Sequence, residues 1–138
     1  MLYSRPIRRP EIPMVKRIRI TAGKVSALAD LDASPTAEAI WSALPIQASA
    51  SRWGDEVYFE IPVRLEEAPG ARQVMKVGEL GYWPIGSAFC VFFGPTPASE
   101  GEEPRAYSNV NPFGLVQGDP GVFSAVRSGA RVVVGRAE

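Results

Sequence analysis

The stretch GSAFCVFFGPTP at residues 86–97 decides the fold of this chain. Residues 88–93 are apolar on both faces, which is typical of a strand that is covered on both sides. The Gly-Pro-Thr-Pro sequence that follows cannot continue a strand, because proline lacks the N–H that a ladder requires. The stretch therefore predicts a buried β-strand that runs directly into a loop.

Short segments of strand character lie on both sides of this stretch, and most of them alternate between apolar and polar residues. The predicted strands are residues 15–22, 25–31, 57–61, 63–65, 73–77, 88–93, 113–118 and 131–134. A tight turn at Gly23 joins the first two into a hairpin. Residues 78–81 are predicted to form a turn. Residues 95–112 have no periodicity and are predicted to form a long loop of functional interest.

Two short helices are predicted between the strands. Ser34 is a good N-cap and Pro35 suits the first helical position, after which apolar residues recur at helical spacing up to the break at Pro45. Asp119 and Pro120 repeat the same start signal near the C-terminus. Helices this short must pack on another element to be stable.

Many short strands with two capping helices predict a mainly β protein, a closed antiparallel barrel with one helix at each end. Closure is favoured because it hides the edges of the sheet. A split α+β sandwich is the alternative. Residues 14–138 are predicted to form this single domain, and residues 1–13, which are rich in Arg and Pro, a flexible basic tail.

Composition and charge exclude several classes of protein. Apolar residues make up 46% and charged residues 22% of the 138 residues, values that exclude wholesale disorder. The 15 basic and 15 acidic residues balance, but residues 1–20 are strongly basic, so the remainder is acidic. A nucleic-acid binder carries a basic face on its folded body, so no nucleic-acid partner is expected. Because no run of about 18 apolar residues and no signal-like segment is present, we expect no membrane partner and a cytoplasmic location.

Several kinds of reactive site are excluded by residue type. The chain has no histidine, and Cys90 is its single cysteine, in an apolar run that predicts a buried thiol. These counts exclude Ser-His-Asp and Cys-His triads, histidine-containing metal sites and an internal disulfide. No phosphate-binding glycine motif is present, so we expect neither a metal nor a cofactor. Acid–base chemistry is left to carboxylates, Tyr, Lys and Arg.

Three segments resemble the cyclophilin superfamily. Residues 34–40 (SPTAEAI) are similar to its first helix, residues 86–97 to its Gly-Ser-Gln-Phe-Phe-Ile segment, and residues 113–118 (FGLVQG) to its Phe-Gly-x-Val-x-x-Gly motif. Residues 53–59 (WGDEVYF) and 82–97 look more specifically like small stand-alone prokaryotic cyclophilin-like proteins of unassigned function. The resemblance covers about residues 15–135 and implies the barrel fold.

The residues that carry prolyl isomerisation in that superfamily are largely missing. The family's Phe-His-Arg strand has an acidic counterpart at Glu60, its Gln is replaced by Ala88, and its second Phe falls on Cys90. The pocket histidine has no counterpart. The departures predict that the domain does not isomerise prolyl bonds efficiently.

We expect a binding groove on the outside of the barrel, beside residues 53–60 and 82–93 and covered by residues 95–112. Glu56, Tyr58 and Glu60 share one face of their strand and are candidates to line it. The ligand is predicted to be a small metabolite or a short peptide. The predicted contacts are Tyr58, Glu60, Trp83, Phe92, Arg105 and Asn109.

Two other classes of function stay open. The first is an enzyme, either a prolyl isomerase or a hydrolase of small amides that uses carboxylate and Tyr groups. The second is an assembly module that forms a homo-oligomer through an exposed strand.

Overall fold

The structure, a computed structural model, describes residues 15–137. The tail predicted for residues 1–13 lies outside the described residues. The described part of the chain contains one α-helix, one 3₁₀-helix and ten strands. They are β1 (Arg17–Ala22), β2 (Val25–Leu31), α1 (Pro35–Ala43), β3 (Ile46–Ser49), β4 (Ser51–Arg52), β5 (Glu56–Glu60), β6 (Arg72–Val74), β7 (Glu79–Trp83), β8 (Ala88–Phe92), β9 (Arg105–Val116), the 3₁₀-helix (Pro120–Ala125) and β10 (Arg131–Arg136).

The strands form one antiparallel sheet in the order β3-β10-β1-β2-β9-β7-β8-β5-β4, and β6 pairs with β9 outside this path. The mainly β class is confirmed. Among residues 15–137 no ladder joins β3 to β4, the two ends of the order, so the hydrogen bonds do not close the sheet. The closed barrel is therefore not confirmed. The two end strands are instead adjacent in sequence and linked through Ala50.

The helices begin where the capping signals predict. Ser34 Oγ accepts a hydrogen bond from the Ala37 N–H at 3.1 Å, and Pro35 opens α1. Ile40, on the apolar stripe of this helix, is fully buried. The Asp119 carboxylate likewise accepts from the Gly121 N–H, but the segment that follows is a 3₁₀-helix. No helix within residues 15–137 is both long and apolar enough to cross a membrane.

Several element predictions are wrong, each for a reason of pairing. Residues 63–65 are not a strand, because the partner of β6 is β9. Residues 79–81 open β7 rather than forming a turn, and residues 105–112 belong to β9 rather than to a loop. Residues 46–49 and 51–52 form two strands that no periodicity in the sequence had indicated. Long-range pairing overrode the local signals in every case.

The main core fills the inner face of the sheet. Phe59 of β5 stands opposite Phe89 of β8, and their rings stack at 4.8 Å. Phe113 of β9 meets Phe89 edge-on at 5.0 Å. A smaller apolar cluster covers the other face of β7, β8 and β9. Its buried members are Met75, Ala88, Cys90, Phe92, Ala106 and Val110.

Candidate functional site

A two-residue turn between β4 and β5, formed by residues 54 and 55, places the side chains of Trp53 and Glu56 on the outer face of the sheet. The register pairs Ser51 with Tyr58, so Trp53 stands opposite Glu56, and the Trp53 N–H donates to the Glu56 carbonyl at 3.0 Å. Residues opposite each other in an antiparallel pair share a face. Trp53, Glu56 and Tyr58 therefore project to the same side as the smaller cluster.

Gly54 fixes the position of this turn. Its φ of +59° lies in the left-handed region that glycine adopts readily. A Cβ there would lie 2.9 Å from Thr96 Cα and 2.9 Å from Pro97 Cδ, so the turn packs closely on the loop after β8. The Asp55 N–H donates to the Pro95 carbonyl at 2.9 Å. The loop thus holds the backbone that carries Trp53 and Glu56.

Three aromatic rings stand around Glu56 at steep angles to one another. The Tyr107 ring lies 6.0 Å from Trp53 at 65° and 5.9 Å from Trp83 at 72°. The Trp83 indole N–H donates to Ser108 Oγ at 2.7 Å, and a Cβ on Gly86 would lie 2.4 Å from the Trp83 ring. Trp83 is thereby held in one orientation, whereas Tyr107 is 71% exposed.

Glu56 carries the one buried side-chain oxygen or nitrogen atom of residues 15–137 that has no hydrogen-bond partner. It is 6% exposed, and its Oε1 atom has no hydrogen-bond partner among the described residues. Burial raises the pKa of Glu56 to about 7, and the neighbouring Cys90 thiol, a weak donor, offsets part of this rise. Burial and the Glu56 charge in turn raise the pKa of the Cys90 thiol. A carboxyl placed in this way can gain or lose a proton near neutral pH.

Two cavities adjoin at this face. The smaller one, of about 100 Å³, is lined by Trp53, Glu56, Tyr58, Trp83 and Tyr107. The larger one, of about 360 Å³, is lined by Ser49, Ser51, Tyr58, Phe59, Glu60, Trp83, Gly86 and Ala88. They share Tyr58 and Trp83, and we call the two together the outer groove. Its lining contains two carboxyl groups and no Lys or Arg.

A third cavity, of about 320 Å³, is less suited to a ligand because its carboxylates already have partners. It includes Asp30, Asp32, Lys76 and Glu79. Asp30 accepts from Arg17 Nε at 2.7 Å, and Glu79 accepts from Arg72 at 2.9 Å and from the Lys76 N–H at 2.8 Å. Residues 15–137 hold no group of three or more Cys, Asp or Glu side chains arranged to bind a metal ion.

The structure brings three of the six predicted contacts together. Tyr58, Glu60 and Trp83 all line the outer groove, with Glu60 at its exposed side. Phe92 is fully buried, and a Cβ on Gly81 would lie 3.1 Å from its ring, so Phe92 fills the cluster beneath the groove.

Arg105 and Asn109 lie elsewhere. Arg105 Nε donates to Glu103 at 3.3 Å, and a second guanidinium nitrogen lies 3.8 Å from Glu100, so its charge is directed to its own loop. Asn109 is half-buried in β9 and lines neither cavity of the groove.

Two aromatic residues of the smaller cavity, Trp53 and Tyr107, are absent from the predicted ligand contacts. Trp53 becomes a wall because the Gly-Asp turn places it opposite Glu56, and Gly-Asp between alternating segments is a recognisable hairpin signal. Tyr107 falls in the predicted long loop, whereas it lies in the part of β9 that pairs with β6. No local pattern reveals that pairing.

Comparison with known proteins finds similarity over nearly the whole chain. The family profile described as Cyclophilin-like matches residues 16–135. The solution structure of the hypothetical protein AF2241 from Archaeoglobus fulgidus is similar, with a TM-score of 0.77 and 35% identity, covering 94% of this chain and 100% of that chain. No match was found among curated proteins.

Proposed function

Because the chain belongs to the cyclophilin-like family, we propose that it is a binding domain that takes a small metabolite or a short peptide in the outer groove. The observation that carries the proposal is the buried carboxyl of Glu56, whose Oε1 atom has no hydrogen-bond partner, among the rings of Trp53, Trp83 and Tyr107. Buried polar groups are normally hydrogen-bonded, because leaving one unpaired costs free energy. A ligand that pairs with Glu56 supplies what the protein alone lacks.

The proposal includes a curled, barrel-like sheet. Its two edge strands, β3 and β4, are joined through Ala50, and the groove lies on the outside of this wall. The proposal also includes the lack of efficient prolyl isomerase activity. The resemblance to cyclophilins implies that isomerisation needs an Arg to polarise the prolyl amide, whereas the outer groove is lined by Glu56 and Glu60 and by no Lys or Arg.

A second candidate function is acid–base catalysis on a small amide. It is favoured by Glu56, whose pKa is raised to about 7, the range in which a general base is most effective. Turnover of small amides that disappears in Glu56→Gln, with ligand binding retained, would support this candidate. Binding without any turnover supports the binding domain.

The test is a ligand screen read by tryptophan fluorescence and thermal unfolding. Trp41 lies on α1, stacked under Arg136 at 4.5 Å and away from the groove, so Trp41→Phe leaves only the groove indoles as reporters. A library of amines, amino acids, lactams, dicarboxylates and proline peptides is added to this variant. We expect at least one compound class to change the indole emission and raise the Tm by mass action.

The matched control is Trp83→Phe in the same background, which keeps an aromatic ring but removes the indole that donates to Ser108. The spectral response should shrink in this variant. If no compound in the library changes either signal, the binding proposal is wrong. Proline-peptide isomerisation above the uncatalysed rate would contradict its second part.

A further inference from the structure

The charge of the outer groove restricts what it can bind. Its lining holds the carboxyl groups of Glu56 and Glu60 and no Lys or Arg. Arg105, the cation expected there, is paired with Glu103. An anionic ligand would meet like charge and find no counter-ion, which disfavours carboxylates and phosphates. A cationic ligand meets charge of the opposite sign.

The aromatic walls are suited to one kind of cation. Tyr107 stands edge to face with both Trp53 and Trp83, so the rings form adjacent walls rather than a stack. A cation placed over aromatic faces is attracted by their quadrupoles, and Trp and Tyr are the strongest partners. Ammonium groups that carry methyl groups also bury apolar surface against such walls.

The smaller cavity has room for a small group. Its volume of about 100 Å³ is several times the space that one water molecule requires, so a small charged group fits. A substituted ammonium head with a few methyl groups matches this space. The larger cavity, of about 360 Å³, continues from the shared residues Tyr58 and Trp83 and offers the hydroxyl groups of Ser49 and Ser51 to the rest of a small molecule.

Building on the proposed function, we propose that the ligand is a small organic ammonium compound whose cationic head lies among Trp53, Trp83 and Tyr107 and pairs with Glu56. Glu56 supplies the counter-charge at the buried side, and the rings exclude water from the pair. Tyr107, which is 71% exposed, is the ring that the bound compound covers. The body of the compound lies in the larger cavity.

Binding of a cation is coupled to the protonation of Glu56. The titratable side chains that adjoin this carboxyl are Cys90 on β8, Tyr58 on β5 and Tyr107 on β9, and burial raises the pKa of the Cys90 thiol. A cation favours the ionised carboxylate, so its affinity should rise as the pH increases through the range in which Glu56 loses its proton.

The test compares choline with 3,3-dimethyl-1-butanol, in which a carbon atom replaces the charged nitrogen without a change of shape. Both are titrated at pH 8 into the full chain and followed by ¹H–¹⁵N NMR shifts and groove tryptophan emission. We expect choline to bind at least about tenfold more tightly than its neutral isostere. We also expect choline to bind more weakly at pH 6 than at pH 8.

Two carboxylate-to-amide variants test the role of Glu56. Glu56→Gln should lose most of the preference for choline and its pH dependence. Glu102→Gln, a change of the same kind at an exposed loop position outside the groove, should keep both. Thermal unfolding of both variants shows whether they are folded. If Glu56→Gln does not fold, Tyr107→Leu replaces it, and the preference for choline should shrink because one ring is gone.

The possible outcomes separate this inference from the proposed function. Equal binding of choline and its isostere, or binding of neutral compounds from the library alone, overturns the ammonium assignment and leaves the groove as a binding site. The absence of binding by any compound overturns both. A trimethyl-lysine tripeptide that binds more tightly than choline overturns the assignment to a free small molecule.

Discussion

The two faces of β5 and β8 differ in how completely their side chains are satisfied. On the inner face Val57 and Phe59 stand opposite Val91 and Phe89, and all four side chains are apolar and at most 2% exposed. On the outer face the same strands pair Glu56 with Phe92, Tyr58 with Cys90 and Glu60 with Ala88.

One backbone ladder therefore supports a complete apolar core on one side and, on the other, a buried carboxyl with one oxygen atom that lacks a hydrogen-bond partner. The fold does not need the carboxyl, because the ladder and the inner core are complete without it. Burial of such a group costs stability. A feature that costs stability and lies in a cavity is typical of a functional site.

The largest expected effect is the loss of a ring from the inner face. Phe89→Ala removes the contacts with Phe59 and Phe113 and should lower the free energy of unfolding by about 3–5 kcal/mol in urea denaturation. Glu60→Ala, on the exposed outer edge of the neighbouring strand, should change it by less than about 0.5 kcal/mol. Similar losses in the two variants would show that the inner and outer faces do not differ in packing.

Next in size is a dependence of stability on pH that resides in Glu56. Its pKa rises from 4.5 to about 7 on folding, so the unfolded chain releases this proton first. The native state is therefore penalised as the pH rises from about 4.5 to 7, by up to about 3 kcal/mol, and the penalty is absent at lower pH. Glu56→Gln should remove this dependence and be more stable than the parent at pH 8.

Urea denaturation of the parent and of Glu56→Gln at several pH values measures the difference between their free energies of unfolding. The contributions of the other titrating groups are common to both proteins and cancel in this difference. The gap between the two proteins should widen with increasing pH. A gap that is constant with pH would mean that Glu56 ionises in the native state as readily as in the unfolded chain.

A smaller effect on stability is expected at Tyr82, whose hydroxyl lies on the inner face and has its hydrogen bonds fulfilled. Its hydroxyl donates to the Val63 carbonyl at 2.6 Å and accepts from the Leu65 N–H at 3.1 Å. Tyr82→Phe leaves both backbone groups unpaired and should cost about 1–3 kcal/mol. Tyr82→Phe should therefore lower the free energy of unfolding, whereas Glu56→Gln should raise it at pH 8. The same series of urea denaturations compares the two variants. An unchanged or increased stability would contradict the claim that the two hydrogen bonds of the Tyr82 hydroxyl stabilise the fold.

Much of the fold could be predicted from local signals. The alternation around Gly23 and in residues 57–61 indicated true strands, and the cap at Ser34 gave the start of α1. The strand pairs involving β6, β7 and β9 could not be predicted, because they depend on which distant segment completes each ladder.

The outer groove was predictable in part, for the same reason. Tyr58 and Glu60 alternate along one strand, so their common face follows from the sequence alone. Trp53 joins them through the register of a two-residue turn, and Tyr107 through the pairing of β9 with β6. Arg105 does not line the groove as predicted, because its guanidinium forms ion pairs with Glu100 and Glu103 of the preceding loop.

The most direct measurement is a pH titration of the Glu56 side-chain carboxyl by ¹³C NMR, assigned by comparison with Glu56→Gln. The midpoint should lie near 7, because burial disfavours the charged form of the carboxyl more than the weak Cys90 thiol donor favours it. It should move to lower pH when choline is bound. A midpoint near 4.5 in the free protein would mean that Glu56 is solvated or paired, and it would contradict the claim that the outer groove is built around an unsatisfied carboxyl.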